Sequence, residues 1–135
     1  MDRLFLDANV LFSAAYRPDA GLFRLWKLPN VVLCSSRYAL EEARVNLSTD
    51  SQRHRLVGLT AALRFFDSQA THLPAGLPED FSLPEKDIPI FLAAIAASAT
   101  HLITGDLRHF GPFLGKKIVG IHFIAPADYL RRSSS

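Results

Sequence analysis

The sequence predicts an α/β fold, a three-layer α/β/α sandwich around a mostly parallel central sheet. Two observations carry this expectation. Short, largely apolar runs such as Leu4-Phe5-Leu6, Val31-Val32-Leu33-Cys34 and His101-Leu102-Ile103-Thr104 read as strands buried on both faces. Between them lie longer segments with apolar residues at helical spacing, the alternation that parallel crossover units require.

The elements follow in order. Arg3 to Leu6 is a buried strand that closes on Asp7. Val10 to Tyr16 and Gly21 to Leu28 carry helical spacing, with Pro18-Asp19 as the break. Val31 to Cys34 is the second strand; Ser36 is placed to cap a helix whose core stripe is Leu40, Ala43 and Leu47. A helix is expected from Ser51 to Phe66, with Leu56, Leu59, Leu63 and Phe66 on one face, then a short strand at Thr71 to Leu73. Pro74 to Pro84, with its prolines and glycine, is a loop. Asp87 opens an alanine-rich helix that tolerates Pro89 in its first turn. Strand pieces at His101–Thr104, Ile118-Val119 and His122–Ala125 precede a terminal helix from Ala127 to Arg132. The expected organisation is one domain over residues 1–132 with a disordered tail at 133–135.

Composition narrows the function classes. The chain has 135 residues, 49% of them hydrophobic and 21% charged, a globular rather than disordered balance. A net charge of +2 permits a polyanionic partner without requiring one. The single cysteine, Cys34, excludes a disulfide framework and cysteine-rich zinc sites, and reads as a small core residue. The opening "MDRLFLDANV" lacks the basic-then-apolar pattern of a signal peptide, and no apolar run is long enough to span a bilayer. The expectation is a cytoplasmic protein with no membrane partner.

Ligands of open α/β sheets bind outside the carboxyl ends of the strands. Asp7 and Asp106 end strands, Asp87 opens the helix feeding the second of these, and Glu42 rides the helix after Val31–Cys34. Converging carboxylates repel unless a cation offsets them, and hard oxygen donors suit Mg²⁺ or Mn²⁺. Each acid also has a plain structural reading. Asp7, Asp87 and Asp106 are all placed to cap helices, and Glu42 competes with its neighbour Glu41 as a solvated helix residue.

Four stretches together resemble the PIN-domain ribonucleases, the family that includes VapC-type toxins. They are "LFLDANVLFSA", "SSRYALEEARVNL", "KDIPIFLAAIAASATHLITGD" and "IHFIAPADYLR", in family order over nearly the whole chain. The resemblance selects Glu42 over Glu41. It implies a metal-dependent endoribonuclease with Asp7, Glu42, Asp87 and Asp106 as catalytic and metal-binding residues. Asn9 and Thr104 would fix their rotamers, and Arg108 and His109 are the first choices for RNA contact. Arg44, Arg53, Arg55, Lys116 and Lys117 form a diffuse second set. The resemblance further implies a toxin held by a cognate antitoxin, and a homodimer. Two departures stand out: Ala8 replaces a common threonine, and no second acid follows Asp106 closely, which leaves the number of metals open.

A PIN-like binding module without catalysis is the rival. A haloacid-dehalogenase-like phosphatase would want an aspartate where Asn9 stands, and no middle strand ends on a receiver-type phosphorylatable aspartate. The apolar segment "GLFRLWKL" reads as core, or as a partner surface should Phe23 or Trp26 be exposed.

Overall fold

A computed structural model describes residues 1–133. Six strands form one sheet in the order β3-β2-β1-β4-β6-β5. They are β1 (Asp2–Leu6), β2 (Val31–Ser35), β3 (Leu63–Phe65), β4 (His101–Ile103), β5 (Lys117–Ile118) and β6 (Ile121–Ile124). All neighbours pair in parallel except β5 and β6, which form an antiparallel hairpin at one edge. Leu4, Phe5 and Leu6 alternate between the two faces of β1 and are all fully buried, so helices cover both sides: a three-layer α/β/α sandwich, as expected.

The helices are α1 (Ala8–Tyr16), α2 (Arg37–Asn46), α3 (Asp50–Thr60), α4 (Ile88–Ala96), α5 (Leu107–Phe110) and α6 (Pro126–Ser133). Among the described residues, no helix is long and apolar enough to cross a membrane. Ser36 caps α2 by accepting from the amide of Ala39, and Ala43 and Leu47 of the predicted stripe are buried, with Leu40 half-buried. Cys34 is buried in the core, where burial pushes its thiol pKa up.

Three expected elements differ. The helix expected to reach Phe66 ends at Thr60, and Leu63–Phe65 becomes strand β3. The competing partner is the open edge of β2, where the Phe66 amide donates to the carbonyl of Ser35 at 2.9 Å. Helical periodicity cannot register that option, because it is set by a strand some thirty residues away. Thr71 to Leu73 forms no strand and belongs to the irregular stretch before Pro84. Gly21–Lys27 is a 3-10 helix in which only Leu25 is fully buried; Phe23 is exposed and stacks on Trp26. Ser133 continues α6, and the rest of the expected tail, 134–135, lies outside the described residues.

The chain places β2 and β3 to one side of β1, then crosses to place β4 and β6 on the other. The carboxyl ends of β1 and β4 therefore flank the topological switch point, where loops diverge and leave a crevice. A cluster of phenylalanines holds the segments around it. Phe81 packs on Phe91 and Phe113 with ring centroids 5.0 and 4.9 Å apart, and Phe110 meets Phe123 edge-on. Phe91 of α4 and Phe110 of α5 each sit one helical turn beyond an acid, Asp87 and Asp106, so this packing fixes where the two carboxylates emerge.

Candidate metal centre

A cleft of about 390 Å³ opens at the switch point, and Asp7, Glu42, Asp87 and Asp106 all line it, with Asn9, Phe12, Asn46 and Lys86. Four acids from four separate segments thus face one space.

Asp7 follows β1 directly and caps α1. Its Oδ1 accepts from the amide of Ala8 at 2.7 Å. Its Oδ2 accepts from the Thr104 hydroxyl at 2.8 Å and from Asn9 Nδ2 at 3.0 Å. Only 3% exposed, Asp7 has its pKa raised to about 6, chiefly by burial; the charges of Asp87 and Glu42 push the same way, against the bonds from Thr104 and Ala8. Cap and cleft acid are therefore both correct descriptions of this residue.

Asn9 and Thr104 join the two strand ends. Asn9 donates to Asp7 and to Thr104 Oγ1, while its Oδ1 accepts from the amide of Gly105 at 2.8 Å. Thr104, completely buried, also accepts from the Asp106 amide at 3.1 Å. Together they lock the Asp7 rotamer and the Thr104-Gly105-Asp106 turn as one hydrogen-bonded unit.

Asp106 divides its two oxygens. Oδ1 caps α5, accepting from the amides of Arg108 and His109, both at 3.1 Å. Oδ2 lies 2.9 Å from Nδ1 of His109. Asp87 behaves differently from the expected cap: its side chain makes no capping bond to α4. It is 5% exposed, and its Oδ2, shielded from solvent, accepts no aligned hydrogen bond although His109 Nδ1 stands 2.8 Å away. Burial raises the Asp87 pKa, and the charges of His109 and Lys86 oppose that rise. An orphaned, buried carboxylate oxygen is costly without a cation, so the donor set fits a hard or borderline divalent ion.

Glu42 and Glu41 separate cleanly. Glu41 is turned outward and pairs with Arg44 at 2.6 Å, whereas Glu42 is half-buried on the cleft wall. The two cations named for RNA contact lie in different settings. His109 points inward onto two carboxylates, and Arg108 is exposed away from the cleft lining. Arg53 and Arg55 are occupied with backbone carbonyls, of Leu47 and of Ala15 and Tyr16, and neither lines the cleft.

Sequence reasoning missed Lys86, the only basic side chain on the cleft wall among the described residues, although its position beside Asp87 was a usable signal. It also missed Tyr38, whose hydroxyl donates to the Lys86 carbonyl at 2.7 Å and pins the segment carrying Asp87 against α2. Partial burial raises the Tyr38 pKa, with Glu42, Asp87 and Asp7 adding to the rise. Neither a protein-family model nor a curated protein sequence matches the chain.

Proposed function

We infer that this protein is a divalent-metal-dependent endoribonuclease of the PIN-domain type, acting on RNA phosphodiester bonds. The observation that carries the reading is the convergence of Asp7, Glu42, Asp87 and Asp106 on one cleft, with a buried Asp87 oxygen lacking an aligned hydrogen-bond donor. Mg²⁺ or Mn²⁺ held there by Asp7, Asp87 and Asp106 would acidify a water and offset charge on the scissile phosphate. The residues of the chain supply the rest. Asp7 presents a rotamer fixed by Thr104 and Asn9, and Oδ1 keeps one lone pair beyond the Ala8 bond. Glu42 faces the same space from α2, and Lys86 puts a positive charge at the rim where a phosphate would approach. The resemblance extends the reading to a cytoplasmic toxin with a cognate antitoxin and a homodimeric state.

The test is cleavage of a labelled RNA by purified protein in Mg²⁺ and in Mn²⁺. Asp7→Asn and Asp87→Asn should abolish it. Absence of cleavage in both metals, or cleavage that survives both substitutions, refutes the reading.

One observation favours the non-catalytic alternative, a PIN-like module acting through protein or RNA contacts. His109 sits between Asp87 and Asp106 where a charged imidazole would balance both acids internally. Such a module would bind neither metal in calorimetry.

A further inference from the structure

We propose that His109 is itself a metal ligand, and that Asp87 Oδ2, Asp106 Oδ2 and His109 Nδ1 form a mixed oxygen–nitrogen seat that favours Mn²⁺ over Mg²⁺. This deepens the metal-dependent reading of the same cleft and rests on it only for the presence of a divalent ion.

The argument is geometric. Asp87, Asp106 and His109 each offer one donor atom, and the three atoms lie within 4.8 Å of one another; Asp7 and Glu42 line the cleft outside this trio. His109 Nδ1 is 2.8 Å from Asp87 Oδ2 and 2.9 Å from Asp106 Oδ2. Ligands about 2.1 Å from an octahedral ion sit about 3.0 Å apart along each edge, whereas tetrahedral edges are about 3.4 Å. The two spacings to Nδ1 match octahedral edges.

Alignment points the same way. Both Asp87 Oδ2 and His109 Nδ1 are shielded from solvent, and neither has an aligned hydrogen-bond partner despite the short separations. In an octahedral shell each neighbouring donor lies about 45° off the lone-pair axis of the next. That offset spoils an N–H···O bond and suits a shared ion. The second observation beyond the acidic cluster is the burial of Asp87, 5% exposed, with an Oδ2 that faces His109 Nδ1 yet accepts no aligned hydrogen bond.

The choice of ion follows from the nitrogen. Mg²⁺ prefers oxygen and water, while imidazole suits first-row transition ions, among which Mn²⁺ keeps an octahedral oxygen-rich shell. A trio of carboxylates would discriminate weakly; replacing one oxygen by Nδ1 sharpens the preference.

The experiment uses the full chain with Mn²⁺ and Mg²⁺ as probes. Calorimetry should give Mn²⁺ affinity at least about tenfold above Mg²⁺. His109→Ala should lower Mn²⁺ affinity by about tenfold or more while leaving Mg²⁺ within about threefold. Electron spin-echo spectroscopy of the Mn²⁺-loaded wild type should show nitrogen coupling, a readout that needs no variant to fold. Metal binding without nitrogen coupling, or Mn²⁺ binding unchanged or tighter in His109→Ala, overturns the ligand role and makes His109 an internal counter-ion, leaving the ribonuclease reading intact. No binding of either metal by the wild type overturns both.

Discussion

The hydroxyl of Thr104 donates to Oδ2 of Asp7 at 2.8 Å, joining the end of β4 to the end of β1 across the switch point. Both residues are buried, so the bond is sheltered from competition with water. Thr104→Val keeps the shape and removes the donor, and it also deprives the Asp106 amide of its acceptor. Thermal unfolding should report a loss of about 1–3 kcal/mol, the cost of buried polar groups left short of partners. An unchanged melting temperature would mean that the two strand ends are held by packing alone.

Asp106 has two duties that substitution can separate. Asparagine keeps an oxygen to cap α5 but no charge, whereas alanine loses both. Asp106→Ala should therefore cost about 1 kcal/mol more than Asp106→Asn in chemical denaturation. Both should lose divalent-ion binding, read by calorimetry. Equal stabilities would show that the Oδ1 contacts contribute nothing as a cap.

Asp7 makes the metal-free protein sensitive to pH in a defined direction. Its folded pKa is raised from 3.8 to about 6, so the folded state holds the proton more tightly than the unfolded state. The stability from this group is fully present below the unfolded value and is lost as pH rises through the folded one. The window runs from about pH 4 to pH 6, and the loss amounts to ~3 kcal/mol at ~1.4 kcal/mol per tenfold change in proton affinity. Asp87 is shifted the same way. In chelator, the stability difference between wild type and Asp7→Asn should widen against the wild type across that window. A difference that stays flat would place Asp7 in a better-solvated setting than its burial indicates.

The β5–β6 hairpin stores backbone strain. Val119 has φ +43° and is followed by Gly120 at +83°, the paired left-handed conformation of a tight two-residue turn. A β-branched side chain is poorly suited to that region, whereas asparagine is tolerated. Val119 is 40% exposed, so little packing opposes the change. Val119→Asn should stabilise the protein by ~1 kcal/mol in urea unfolding, without altering metal binding at the other end of the sheet.

Much of this arrangement was legible in the chain itself. Runs such as Leu4-Phe5-Leu6 carry their own signal, because a strand buried on both faces has to be uniformly apolar. Acids placed just after such strands fall at the sheet's carboxyl edge by topology, so Asp7 and Asp106 were bound to be neighbours once β1 and β4 paired. Glu42 needed the helix's rotation about its axis, which neighbouring glutamates do not reveal; the outward pairing of Glu41 with Arg44 settles it. What stayed hidden depended on distant partners. β3 was masked by a helical pattern because the edge of β2 lies far off in sequence. His109 was expected only as a cation for RNA beside the acids, because nothing local says that Asp87 stands opposite it.

The four acids enter at positions 7, 42, 87 and 106, on elements that meet only when β1 and β4 lie side by side. No fragment that stops short of residue 106 can contain the complete cleft. The acid set is therefore assembled only after β4 and the turn that carries Asp106 have joined β1. If the activity proposed above is right, connectivity alone would keep any shorter fragment from carrying it.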